Sequence, residues 1–505
     1  MICSYEGMPQ AWSLSCNFSC SCCFAILVVV VHKYSVLLQI AWRSVLPATG
    51  RATVPCPFAT MEDIGDEEES IAPSSTGVST PLQADGRLTA MPPSEPTRNG
   101  SSYLERQQTN TSYYVSQHLP LPSELLFVAV ICSAQLLTQV GFGQTLVPSQ
   151  VIGNALGATS PGQRSWTLAA FSLTVGTFVL PAGRLGDIYG SKKMVVAGWG
   201  WYALWSIIAG LAVFARRGQG AVIMFSVCQA LRGCGPAFLL PNALAIAGRS
   251  YTNGKRKNMV FVAFAMCAPV GGVLGSVFGA ILAQLAWWPW IFWSTGIACA
   301  GFGVIVMMVI PADDKSAGAK DSPQTFDLIG SVLGVGGLVL FNFAWNQAAV
   351  VGWANGYVPT LLAVGILVLI AFYFYERRIS QLILPPAVFN LRSTAVLSVV
   401  AFGWASFGIF FYYTIAFLLN IRGLSLLLAS AQNSTVVPAG VIAAGITGIS
   451  IKRVPAPWLM CIAGAAFMVG NILVATMPRD QTFWIQTFLA FVITPFGYVP
   501  FPFCE

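Results

Sequence analysis

The chain holds 505 residues, 55% of them hydrophobic and only 9% charged, with a net charge of +7 and a mean hydropathy of +0.69. So apolar a composition excludes a water-soluble surface and makes this a membrane protein. The positive balance speaks to membrane topology and not to a nucleic-acid partner.

Residues 1–60 form an atypical N-terminal extension. Its apolar stretch FAILVVVVHKYSVLLQIAW (24–42) has the length of a signal anchor, but His32 and Lys33 interrupt it and no small-residue cleavage site follows. An extra span here would also place the acidic segment that follows outside the cell. The reading preferred to an anchor is therefore an upstream extension, with Met61 as the working start. CNFSCSCC gathers Cys16, Cys20, Cys22 and Cys23 without a nearby His or second pair, so no metal site is assigned. Residues 61–123 are rich in Ser, Pro, Thr and acids, a composition that buries no core and predicts a disordered cytosolic tail.

From residue 124 onward twelve apolar runs are long enough to cross a hydrocarbon core about 30 Å thick: 124–148, 166–182, 194–214, 221–247, 258–284, 290–310, 327–347, 357–375, 395–419, 430–450, 456–476 and 483–503. None alternates polar with apolar as a barrel strand does, so all read as helices, and the chain reads as an all-α polytopic membrane protein. Lys192, Lys193, Arg249, Lys255, Arg256, Lys257, Arg377 and Arg378 fall in loops after even-numbered runs, whereas odd-numbered loops carry little beyond Arg216 and Arg217. That bias puts the even loops and the N-terminal tail in the cytosol. The sequons at Asn17, Asn99 and Asn110 then lie on the cytosolic side, and Asn433 lies at a helix start, so no glycan is expected.

Several stretches carry more than span length. PAGRLGDIYGSKKM (181–194) packs charge into the turn between runs two and three: Gly183 and Gly190 permit close approach, Asp187 can accept from a helix N-terminus or pair with a cation, and Lys192 and Lys193 follow. The alternative reading is a solvated turn that only sets topology. Run four holds Gln229 and Arg232, three apart on one face. Arg232 is the one charge deep inside a run, and an intramembrane charge is costly enough to point to function; a guanidinium merely neutralised by helix carbonyls is the alternative. In run five Pro269 precedes Gly271, Gly275 and Gly279, flanked by Gly272, Ser276 and Ala280, a face nearly bare of side chains that invites close helix packing. Asn342 and Asn346 in run seven read as polar glue between helices.

GRLGDIYGSKK resembles the loop signature of the major facilitator superfamily, Gly-x-x-x-Asp-x-x-Gly followed by two basic residues, and stands between the correct spans. Ser191 occupies a place that is usually basic. The resemblance implies two six-helix halves rocking about a central site, with Gly183, Asp187, Gly190, Lys192 and Lys193 as a conformational latch. CQALRGCGPAFLLPNALA resembles the fourth-helix motif with its two polar residues exchanged, Gln229 at the Arg position and Arg232 at the Gln position, and implies a role for both in coupling. The run-five glycines are similar to the antiporter motif Gly-x-x-x-Gly-Pro-x-x-Gly-Gly, with Ser276 for Pro and Ala280 for the last Gly. QLAWWPWIFW and the acidic start resemble the fungal fourteen-span drug:proton antiporter branch, of the multidrug and aminotriazole-resistance kind.

That resemblance divides the chain into an N-terminal half (124–310), two inserted helices (327–375) and a partial C-terminal half (395–505) lacking two helices, so that appended spans from a full-length relative would be needed for full transport. It also makes Gln135 and Gln139, and more weakly Tyr412, Tyr413 and Asn420, substrate-cavity residues. The function implied is proton-coupled efflux of small drug-like or toxic compounds by a monomer in the plasma membrane, or else the vacuolar membrane, with the proton gradient as energy source and no cofactor. A non-transporting relative and a facilitator of another small molecule are the alternatives. An enzyme is disfavoured, because His32 and His118 both lie outside the bundle.

Overall fold

The computed structural model describes residues 120–498 except 253, 311–325, 380–390 and 451–452. The extension, nearly all of the acidic tail, both histidines, the cysteine cluster and the sequons at Asn17, Asn99 and Asn110 lie outside the described residues. All regular structure among those described is helical.

Helix α1 (Leu121–Leu146) leads to the short α2 (Ser149–Leu156), which ends on Gly157 at φ 89°. The helix takes residues 121–123 from the expected tail. Next come α3 (Pro161–Tyr189), α4 (Ser191–Leu211), α5 (Gln219–Ser250), α6 (Lys255–Leu285) and α7 (Trp290–Val309). A hairpin of α8 (Leu328–Val351) and α9 (Tyr357–Glu376) follows, then α10 (Leu391–Asn420), α11 (Leu426–Asn433), α12 (Val436–Ser450), α13 (Ala456–Ala475), α14 (Gln486–Ile493) and α15 (Pro495–Tyr498). The starts are set by side chains that satisfy free backbone N–H groups: the Ser160 hydroxyl accepts from Gln163, Asp327 from Gly330 and Ser425 from Leu428, at 3.2, 2.9 and 3.2 Å.

Three sequence expectations are corrected. First, 181–194 is no loop. Helix α3 continues through Pro181 to Tyr189 and α4 begins at Ser191, leaving Gly190 alone between them at φ 99°. Only glycine takes that left-handed conformation without strain, so one residue suffices to turn the chain. Second, eleven helices among the described residues are long and apolar enough to span, and the expected twelfth run is described only as far as residue 498. The described part of that run holds a short apolar helix interrupted at Thr494, because Pro495 can supply no N–H and its ring crowds the preceding turn. Third, the tenth span is discontinuous. It starts at Ser425, breaks at Ser434 and Thr435, and places Asn433 at the end of α11 and fully buried rather than at a helix start.

Between helices in lipid there is little hydrophobic drive, so association rests on close packing and polar contacts. The α1–α6 seam shows how close. A Cβ on Gly271, Gly275 or Gly279 would lie 2.4, 2.4 and 2.6 Å from the carbonyl oxygens of Leu136, Val140 and Gln144, and one on Gly143 would lie 2.1 Å from that of Gly272. Backbone touches backbone along three turns. Gly272 itself faces open space. Helix α3 packs on α5, and α4 packs on both α5 and α7.

The α8–α9 hairpin leans on α3 through Gly162 against Ala349, and through the Trp166 indole N–H donating to Gln347 Oε1 at 3.2 Å. Asn342 and Asn346, expected as interhelical glue, instead donate to Leu338 and Asn342 carbonyls four residues back in their own helix, at 3.0 and 2.9 Å. The N-terminal helices meet α10–α12 at the end of the bundle opposite Asp187. There Leu146, Val147, Val273 and Ala280 share a buried cluster with Ile415, Leu418, Ala429 and Val436.

Candidate functional site

The site is built on α5. Gly233 and Gly235 closely follow Arg232, and a Cβ on them would sit 2.2 Å from Thr174 Oγ1 and 2.6 Å from the Tyr202 Cβ respectively. These two glycines draw α3 and α4 onto α5 on either side of the arginine. Arg232 and Gln229 are both fully buried. The guanidinium donates through Nε to Ser206 Oγ at 3.0 Å, through Nη1 to Gln229 Oε1 at 3.0 Å and through Nη2 to the Tyr202 hydroxyl at 3.3 Å.

The network continues outward. Gln229 Nε2 donates to the Thr167 carbonyl at 3.0 Å and to Thr145 Oγ1 at 3.4 Å, and the Tyr202 hydroxyl donates to the Leu137 carbonyl at 3.0 Å. Arg232 itself donates to side-chain oxygens of α4 and α5, and its partners Gln229 and Tyr202 carry the network on to backbone carbonyls of α3 and α1.

No carboxylate stands among Arg232's partners in the described residues. The rings of Phe171, Tyr202 and Phe292 lie 5.2, 5.1 and 5.2 Å from its Cζ. Each ring presents the negative face of its quadrupole to the cation, an attraction of about 2 kcal/mol when desolvated. Neutral oxygens and ring faces thus offset the large cost of burying a charge. Gly141 on α1 makes the arrangement possible, since a Cβ there would overlap the Tyr202 hydroxyl at 2.0 Å.

Gln144 on α1 is a further buried polar group, accepting from Thr295 Oγ1 of α7 at 2.8 Å. Sequence reasoning passed over it, though a third glutamine in an apolar run was the available signal. Tyr202 and Ser206 carried no signal at all, because only the α4–α5 crossing brings them to Arg232. Glu376, outside the expected eighth run, is the last residue of α9 and is buried.

The residues of the expected latch separate into two contacts. Asp187 Oδ1 pairs with Arg249 Nη2 on α5 at 3.0 Å, both side chains about half exposed (48% and 50%). Arg249 Nη1 donates to Ser191 Oγ at 3.3 Å, so the serine at the usually basic place completes the arginine's shell. Gly183 faces Pro241. Lys192 belongs elsewhere: its ammonium donates to the carbonyls of Met307, at 3.0 Å, and Ile310, capping the C-terminal end of α7. Lys193 is exposed. The Asp187 pair is thus made within the N-terminal half.

Gly186, absent from the sequence expectation, has a defined role. Asn242 donates to the Ala182 and Phe238 carbonyls at 3.2 and 2.8 Å, and a Cβ on Gly186 would lie 1.6 Å from its Oδ1. Gly186→Ala should lower stability by about 1–3 kcal/mol, because Asn242 is buried and must give up these bonds to move. Thermal unfolding in detergent reads this; an unchanged midpoint would mean α3 and α5 part freely at this end.

The expected cavity residues are dispersed. Gln135 and Gln139 are half-buried and are not partners of Arg232, and Gln139 sits at the α1–α6 seam with its Cβ beside Gly271. Tyr412 and Tyr413 meet edge to face at 5.4 Å. Asn420 accepts from Gln150, a contact between the two halves two turns away from the tyrosines.

A bundle of apolar helices closed by glycine seams, with a cation sealed among them and a charged helix junction at one face, defines a multi-pass membrane transport protein. The sequence pattern of the Major Facilitator Superfamily matches residues 130–503, and the chain belongs to that superfamily. A low affinity ammonium transporter of Saccharomyces cerevisiae is 50% identical over 377 residues, covering 74% of this chain and 72% of that protein. A multidrug transporter of Aspergillus fumigatus is 40% identical over 382 residues, 75% of this chain and 65% of that one. Among solved structures, a peptide transporter, POT, in complex with sulfate shares the fold at a TM-score of 0.54 and 16% identity, with 78% of this chain and 83% of that chain covered. The relatives are transporters, and the chain is a transporter and not an enzyme.

Proposed function

We propose that the chain is a monomeric exporter in the plasma membrane that moves small apolar or cationic toxic compounds out of the cytosol in exchange for protons, the gradient supplying the energy. The observation that carries this reading is the buried Arg232–Gln229 network. A cation kept inside the N-terminal half with no carboxylate partner among the described residues is sensitive to any charge that enters beside it, which is the property a coupling residue needs. The multidrug transporter at 40% identity supports the substrate class.

A second reading, movement of ammonium or small amines, is favoured by the relative at 50% identity. Purified protein in proteoliposomes under an imposed pH gradient separates them. The first reading expects uptake of lipophilic cationic dyes that stops on adding an uncoupler, the second saturable ammonium flux. Neither flux would refute transport by this chain.

In this reading Asp187 acts on the conformational cycle. Asp187→Asn should leave abundance unchanged, since a half-exposed ion pair contributes at most about 1 kcal/mol. Transport should fall about tenfold or more, corresponding to ~1.4 kcal/mol in one step of the cycle. Normal flux at normal abundance would remove Asp187 from the mechanism.

A further inference from the structure

The end of the bundle opposite Asp187 is closed where α11 lies against α6. Leu427 N–H donates to Gln284 Oε1 at 3.2 Å, and one turn deeper the Ser430 hydroxyl donates to the Ser276 carbonyl at 3.1 Å. Ala429, Ser430, Asn433 and Val436 recur at helical spacing and are all buried, whereas Leu428 on another face is 47% exposed. Asn433 therefore continues the Ser430 face, one turn further into the seam. It is 0% exposed, and neither its amide nitrogen nor its oxygen has a hydrogen-bond partner among the described residues.

Burying a carboxamide with both ends unsatisfied costs free energy only in the conformation that buries it. A leucine of similar size in the same place would carry no such cost. The asparagine also stands where the span breaks. Helix α11 ends on it: Ser434 N–H still reaches the Ser430 carbonyl at 3.0 Å, but Thr435 turns to the nearer Gln432 carbonyl at 3.4 Å and Val437 to that of Ser434 at 3.1 Å. Broken helices in membranes are found where backbone meets a water-filled path or buried protein.

Resting on the transport reading above, we infer that Asn433 is a positioning residue of the outer seam, whose unsatisfied amide weakens the closed arrangement and so sets how readily the seam opens. When α11 draws away from α6 the amide reaches water or solute, and the penalty vanishes. Ser430 acts in the opposite sense, since its bond to Ser276 exists only while the seam is closed.

The test is a single reporter cysteine, Ala280→Cys, at a fully buried position of the same seam on α6. It is placed in a cysteine-depleted background and labelled from outside with a membrane-impermeant maleimide. Asn433→Leu should slow labelling about tenfold and raise the thermal midpoint; turnover of any transported dye falls while its KM holds. Ser430→Ala should speed labelling. Unchanged labelling in Asn433→Leu, or a lowered midpoint, would overturn the inference, because the amide would then be satisfied in the closed state. A change in KM alone would overturn it too, by making Asn433 a solute contact. Labelling and melting need no flux, so a failed transport reading leaves them interpretable.

Discussion

Replacing Arg232 by methionine should leave the protein at or above its normal abundance while cutting transport about a hundredfold, or ~2.7 kcal/mol in the rate-determining step. The two effects separate because they have different physical sources. Arg232 is fully buried with neutral partners only among the described residues, so removing its charge relieves a desolvation cost, and methionine fills most of its volume between Phe171, Tyr202 and Phe292. What methionine cannot do is donate to Ser206, Gln229 and Tyr202 at once.

Arg232→Lys should fall between, since an ammonium keeps the charge but lacks the planar fork that reaches three acceptors on two helices. Gln229→Ala should be milder than either, as it removes one acceptor and leaves the cation. Flux measured per molecule in proteoliposomes decides. Wild-type flux in the methionine variant would make Arg232 a packing residue, and equal losses in all three would assign the effect to the helix face and not to the charge.

The second large effect lies in the α1–α6 seam. Gly275→Val should abolish accumulation of folded protein, whereas Gly272→Ala, three residues earlier, should be nearly neutral for abundance. The Cβ at 275 meets the Val140 carbonyl at 2.4 Å and its Cα at 2.8 Å, and neither backbone can yield without opening the seam, while the Cβ at 272 meets nothing within 4 Å. Because packing is the main cohesion between helices in lipid, a gap of even 1–2 Å forfeits most of it. Fluorescence-detected size exclusion of tagged variants reads the outcome. A monodisperse Gly275→Val peak at normal height would mean that the two helices are held apart in the membrane.

Much of this was legible in the sequence, for stated reasons. Span length and loop charge are local properties, so the helices through α10 and α13 fall close to their expected places. Arg232 and Gln229 stood out because polar groups are rare inside apolar runs, and the run-five glycines because their period matches a helix face. What failed to show was convergence. Tyr202 and Ser206 are ordinary residues of an apolar helix until the crossing angle brings them to Arg232. Two local misreadings had local causes. Gly183, Gly186 and Gly190 among charges look like a turn, yet two of the three serve close packing inside α3. The break at Ser434 was signalled by the polar run Gln432–Thr435, but the apolar residues on both sides masked it.

The one-residue junction at Gly190 leaves α3 and α4 without slack. With 3.6 residues per helical turn, one extra residue would rotate α4 by about 100° relative to α3 and advance it by about 1.5 Å. Lys192 would swing away from the last carbonyls of α7, and Ser191 from Arg249. Epitope tags, protease sites and fluorescent-protein fusions placed at this turn would therefore unseat three helices together, and length variation in the wider family should be sparse at this point of the chain.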